Sequence, residues 1–129
     1  MKKTIFCTAA LFGFLAVVLG AFGAHALKEA IGKEAIGTFE TGVKYQMYHA
    51  LLLLFIGNLA VLPEKSKKIL FWLISVGIIL FSGSIYALAT NNLSSFDFRT
   101  IGIVTPIGGT LLIVAWAVLF YNFLRVKTK

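Results

Sequence analysis

The chain has 129 residues, 59% of them hydrophobic and only 13% charged, with a net charge of +7 and one cysteine. A soluble domain carries about 25% charged residues, so much of this surface faces something other than water, and the length allows one compact domain. Cys7 has no partner for an internal disulfide, and the basic residues stand in short clusters between apolar runs, which reads as membrane topology and anionic headgroups rather than a nucleic-acid face.

Four uncharged stretches, residues 4–24, 45–62, 69–90 and 100–124, each come near the roughly 20 residues that span a bilayer. In the first, Ala9, Gly13, Ala16, Gly20, Gly23 and Ala24 fall within about a 100° arc of one helix face. Small residues at this spacing let two backbones approach closely in lipid, so this helix is expected to be a packing helix, with its partner in the same chain or in another protomer. A rival reading takes Lys2, Lys3, the apolar run and Ala24-His25-Ala26 as a cleaved signal peptide. The run is longer than the roughly 7–15 residues of a signal core, and a discarded peptide has no need of a small-residue stripe.

Residues 25–44 hold a tandem repeat, Lys28-Glu29-Ala30-Ile31-Gly32 followed by Lys33-Glu34-Ala35-Ile36-Gly37. Leu27, Ala30 and Ile31 share an i, i+3, i+4 pattern, which predicts a short amphipathic helix on the membrane surface, broken near Gly32 or Gly37; a solvated connector is the plainer alternative. Leu62-Pro63-Glu64 predicts a tight turn, because proline ends the second helix. Residues 91–99 form a short polar loop. In the fourth stretch, Thr105-Pro106-Ile107-Gly108-Gly109 removes one backbone donor and permits a bend, so a kink at Pro106, Gly108 and Gly109 is expected, serving packing more readily than a hinge.

Lys and Arg set the orientation. With the N-terminus inside, the inner segments hold Lys2, Lys3, Lys65, Lys67, Lys68, Arg125, Lys127 and Lys129, against Lys28, Lys33, Lys44 and Arg99 outside, eight against four. Both termini are therefore expected in the cytoplasm.

Polar side chains within spans are costly and are the natural functional candidates. Tyr45, Gln46 and His49 share one face of the second helix; Ser75, Ser82, Tyr86 and Thr90 share one face of the third. Taking the second helix to begin at Tyr45, His49, Tyr86 and Thr105 each lie about 6 Å below the outer helix ends. His25 closes the first helix on the same side. The expectation is one outer polar cluster, His25, Gln46, His49, Ser82, Tyr86 and Thr105, above an apolar inner half in which Asn58 is the main exception. Two histidines, with Glu40, could ligate a metal, yet a closed site needs three or four protein ligands and no H-x-x-E-H or C-x-x-C spacing is present. Haem between two histidines and a proton relay are further possibilities. The plain alternative is an interhelical hydrogen-bond network that fixes packing. No G-x-S-x-G motif, P-loop or paired carboxylates point to catalysis, and no metal or cofactor is expected.

Gly20-Ala21-Phe22-Gly23-Ala24-His25-Ala26-Leu27 and Phe39-Glu40-Thr41-Gly42-Val43-Lys44-Tyr45-Gln46-Met47-Tyr48-His49-Ala50, with Phe81-Ser82-Gly83-Ser84-Ile85-Tyr86 and Thr105-Pro106-Ile107-Gly108-Gly109, resemble the signature of domain-of-unknown-function family 423, small bacterial membrane proteins to which vertebrate transmembrane protein 256 is similar. The resemblance covers essentially the whole chain. It implies four membrane helices with an uncleaved first span, and it brings no established activity.

The sequence therefore predicts a single all-α domain, residues 1–129: four antiparallel transmembrane helices with a short interfacial helix between the first two. It predicts a non-enzymatic, multi-pass structural or accessory protein of the bacterial plasma membrane. Its partners would be the lipid bilayer and either further copies of itself or another membrane protein, without nucleic acid. A small transporter or channel subunit using the His25 and His49 region, or a metal- or haem-binding membrane protein, are the alternatives.

Overall fold

The computed structural model describes residues 1–91 and 102–127. Among them the elements are helical: α1 (Lys2–Phe22), a π turn (Gly23–Leu27), α2 (Lys28–Ile31), α3 (Lys33–Asn58), α4 (Glu64–Ala89) and α5 (Val104–Leu124). Residues 92–101, which hold most of the expected polar loop, Asp97, Arg99 and the expected start of the fourth span at Thr100, lie outside the described residues, as does Lys129.

The first helix runs on through the π turn and α2 as one stretch, Lys2–Ile31. It ends at Gly32, whose φ of +88° lies in the left-handed region that glycine enters without a Cβ clash. α3 starts at the next residue. The expected interfacial helix is thus not a separate element. The first copy of the repeat closes the first helix, the second copy opens α3, and Gly37 sits inside α3 without breaking it. The reason is burial: Leu27 and Ile31 pack with Ile36, Phe39 and Ala89 in a small apolar cluster. That cluster turns the apolar side of the repeat toward the other helices.

Among the described residues, three helices are long and apolar enough to cross a membrane: Lys2–Ile31, Glu64–Ala89 and Val104–Leu124. The expected second span, residues 45–62, falls in α3, which is not among them. α3 carries Lys33, Glu34, Glu40 and Lys44 in its first half and Gln46 and His49 beyond. Its last residue is Asn58, so residues 59–62 belong to the turn and not to the helix. Half of the residues in the most apolar part of α4 are buried, against 17% in the first helix and 22% in α5, which makes α4 the central helix of the three.

A larger apolar cluster joins Ile5 and Ala9 of α1, Leu53 and Ile56 of α3, Leu70, Ile74 and Ile78 of α4, and Leu112, Ala115 and Leu119 of α5. Contacts between α1 and α3 follow a fixed order. A Cβ on Gly57 would meet the Phe6 ring at 2.6 Å, one on Gly13 would touch Ala50, one on Gly20 would touch Val43, and one on Gly23 would meet Phe39 at 3.0 Å. The small-residue stripe of α1 therefore lies against α3 of the same chain. Ala9, Ala16 and Gly23 are buried and Gly13 and Gly20 half-buried, whereas Ala24 is exposed. The buried line passes from Gly23 to Leu27 and Ile31, and Ala24 falls beside it.

α4 and α5 approach closely at Gly108, where a Cβ would collide with the backbone of Leu80 and Phe81. The kink expected at Pro106 is instead a helix start. Pro106 occupies the first turn of α5, whose N–H groups have no intrahelical acceptor in any case, so its missing donor breaks no bond. The helix then continues without interruption to Leu124.

The turn between α3 and α4 is held from both sides. The Lys67 amide donates to the Pro63 carbonyl at 3.0 Å, closing the first turn of α4. The Lys67 side chain, though ionisable, is buried, and its Nζ donates at 3.5 Å to the Gly57 carbonyl in the last turn of α3. A cation beside the unpaired carbonyls of a helix C-terminus is favourable, which is why a lysine is tolerated there.

Candidate functional site

The polar side chains of the interior are distributed along the bundle as separate links. Gln46 of α3 is buried; its Nε2 donates to the Phe12 carbonyl of α1 at 2.8 Å, and its Oε1 accepts from the Tyr86 hydroxyl of α4 at 2.6 Å. One amide thereby joins three helices. The Phe39 ring packs against Tyr86 with centroids 5.0 Å apart and fixes its orientation. Four residues earlier on α3, the Gly42 carbonyl accepts from Ser82 at 2.7 Å. The absence of a side chain at Gly42 allows this, because a Cβ there would lie 2.8 Å from the Tyr86 ring.

His49, one turn beyond Gln46, reaches a different helix. Its Nδ1 donates to the Tyr45 carbonyl at 2.7 Å, and its Nε2 accepts from the Trp116 indole of α5 at 3.1 Å. The carbonyl can only accept and the indole N–H can only donate, so this arrangement requires a neutral imidazole with its proton on Nδ1. The two rings meet edge to face, 6.0 Å between centroids. Thr105 bonds to neither Gln46 nor His49. Its hydroxyl shares a 2.5 Å hydrogen bond with Ser84 of α4, and Ser84 also donates to the Phe81 carbonyl.

Depth explains the separation. α3 begins at Lys33 and not at Tyr45, so His49 lies about 24 Å along it at 1.5 Å per residue. Its partner Trp116 is about 18 Å along α5, well below Thr105. His25 is also absent from the interior. It is exposed on the π turn, two residues from both Gly23 and Leu27 and so on the opposite side of the helix, where it lines a surface depression with Lys28, Glu29 and Lys33. Of the six expected residues, Gln46, Ser82 and Tyr86 form one group against α3, His49 and Thr105 stand in two others, and His25 faces outward.

Several partners escaped the sequence reading. In the sequence, Trp116 is one more apolar residue of the fourth stretch. Ser84 lies about 200° around the helix from Ser82, off the polar face chosen for α4. In the half bearing the larger apolar cluster, Asn58 is exposed; a polar link there, besides that of Lys67, is Asn122, which accepts from Ser66 at 2.7 Å and donates to the Val118 carbonyl. Ser75 Oγ is buried without a hydrogen-bond partner among the described residues. No three His, Cys, Asp or Glu side chains among the described residues come together in a way that could hold a metal ion, and Glu40 is exposed on α3.

These features describe a helical protein with segments long and apolar enough to cross a membrane, whose helices are tied together by short polar bonds. Residues 19–109 match the family described as "Protein of unknown function (DUF423)". The chain is 40% identical over 125 residues to the UPF0382 inner membrane protein YgdD of Escherichia coli strain K12, covering 94% of this chain and 89% of that one. It is 38% identical over 131 residues to a UPF0382 membrane protein of Haemophilus influenzae, covering 99% of both. A UPF0382 membrane protein of Staphylococcus saprophyticus is 38% identical over 124 residues, covering 96% of this chain and 99% of that protein. The chain belongs to this family of membrane proteins of unknown function. No solved structure matches it.

Proposed function

We propose that the chain is a non-enzymatic, multi-pass protein of the bacterial plasma membrane. In this reading four antiparallel helices cross the bilayer, α3 among them, both termini lie in the cytoplasm, and the role is structural or accessory. The interior polar residues then serve as interhelical locks. The observation that carries this reading is His49, both of whose ring nitrogens are engaged by groups of the same chain. A metal ligand or proton relay needs one of those nitrogens. Gln46 and Tyr86 are likewise satisfied internally.

The sequence of contacts between α1 and α3 supports the antiparallel arrangement, since rising numbers on one meet falling numbers on the other. α3 can lie in the bilayer despite Gln46 and His49 because both are buried against neighbouring helices.

Native mass spectrometry of gently extracted full-length protein, with elemental analysis and a vesicle flux assay on the same preparation, tests the proposal. The expected result is a protein without bound metal or haem, with no solute or ion flux above empty vesicles. His49→Asn should lower its thermal stability in detergent. A metal, haem or flux present in the wild type and lost in His49→Asn would replace the structural reading with a binding or transport one.

A further inference from the structure

We infer that the end of the α4–α5 pair bearing Lys65 binds one anionic phospholipid of the two-phosphate, cardiolipin-like kind, its headgroup held by Lys65, Lys68 and Arg125. Two grooves meet there. One, of about 540 Å³, opens between Lys65 and Lys68 and is apolar beyond them, along Trp72 and Val76 of α4. The other, of about 520 Å³, is of mixed polarity, with Pro63 and Val118 beside Ser66, Asn122 and Arg125. Lys65 and Ile69 line both, so they form the ridge between the two.

The chemistry of the walls selects the ligand. None of the described residues lining either groove is acidic; Glu64, the neighbouring carboxylate, is exposed at the first position of α4 and lines neither. Cations above an apolar slot match an amphiphile with an anionic head and acyl tails. A soluble anion would leave the apolar groove unfilled. A zwitterionic lipid would bring its own ammonium toward the cations that line the two grooves. The apolar groove on one side of Lys65 suits acyl chains, while the mixed groove on its other side, with Arg125, suits the polar bridge and second phosphate of the headgroup; basic pockets between membrane helices recognise headgroups of this kind. Arg125 is already held in place within its own helix end, since its Nη1 donates to the Tyr121 hydroxyl at 3.0 Å and the guanidinium lies 5.7 Å above the Tyr121 ring. Lys67, between the two lysines in sequence, is turned inward to the Gly57 carbonyl and takes no part. The inference rests on the chain lying in a bilayer and not on the role of His49, so the two proposals fail separately.

The test is lipid titration followed by native mass spectrometry on the full chain in detergent. Cardiolipin, phosphatidylglycerol and phosphatidylethanolamine are compared at equal acyl-chain concentration. One cardiolipin per chain should persist at the lowest concentration. Lys65→Gln with Lys68→Gln should weaken it about tenfold or more, on the scale of about 1 kcal/mol per basic residue. Both lysines are exposed, so the variant should retain the wild-type melting temperature of delipidated protein. Lys2→Gln with Lys3→Gln removes the same charge from another cluster and should leave cardiolipin binding within about twofold. The proposal is overturned if phosphatidylethanolamine or phosphatidylglycerol binds as well as cardiolipin. It is equally overturned if the Lys65/Lys68 variant binds like the wild type, or if the Lys2/Lys3 variant loses as much.

Discussion

The indole of Trp116 donates to Nε2 of His49 across 3.1 Å, and this bond is the polar link between α3 and α5. Without it, Nε2 of a buried imidazole would have no described partner, since Nδ1 is committed to Tyr45. A double-mutant cycle of His49→Ala and Trp116→Phe should give a coupling of about 0.6 kcal/mol, and at most about 1.7 kcal/mol, by reversible unfolding in detergent. Strict additivity would show that the bond contributes nothing.

Gln46 offers a sharper contrast, because it serves two helices at once. Tyr86→Phe strips Oε1 of its donor and should cost about 1–2 kcal/mol. Gln46→Leu leaves the Tyr86 hydroxyl unpaired and should cost a similar amount. Combined, they remove both orphaned groups, so the double variant should be less destabilised than the sum. A double variant at or beyond the sum argues against the pairing.

Two glycines on facing helices predict opposite outcomes. Gly108→Ala drives a methyl into the backbone of Leu80 and Phe81 and should destabilise by about 1–3 kcal/mol as α5 is pushed from α4. Gly83 of α4 has no atom within 4 Å of a Cβ position, so Gly83→Ala should be neutral or stabilise by about 0.5–1 kcal/mol through helix propensity. Melting temperatures of the two proteins decide it; equal losses would contradict the helix contact.

Orientation is open to a direct test. In a Cys7→Ser background, a thiol reagent that cannot cross the membrane should label Lys33→Cys in intact cells and spare Lys65→Cys until the cells are opened. Both positions are exposed on the protein. The reverse pattern would invert the topology.

The sequence revealed the helices that lipid and packing require, and it missed what depends on where each helix begins. Apolar runs located α1, α4 and α5, and the small residues from Ala9 to Gly23 identified the face that meets α3. The repeat at residues 28–37 misled because amphipathicity does not say whether the apolar side meets lipid or protein; here Ile31 and Ile36 meet each other's cluster across Gly32. That added three turns to the start of α3 and moved His49 toward the middle of the bundle. Pro106 reads as a kink only if the helix starts at Thr100, and α5 starts at Val104. Trp116 was invisible as a partner, since no periodicity marks an indole that donates one bond. Lys67 is a similar case: among three lysines within four positions, nothing in the sequence says that one turns inward.

The π turn at Gly23–Leu27 has a consequence for how length changes are absorbed. A π turn uses more residues per turn than an α turn, so this segment holds slack in the first helix. Deleting one residue within it can tighten the turn to α geometry and leave Leu27 and Ile31 seated. Deleting one residue near Ala16 has no such outlet: every side chain beyond it rotates by about 100°, and the small-residue face turns away from α3. The join between the first helix and the repeat is thus the place where this fold tolerates a change of register, while the helix before it does not.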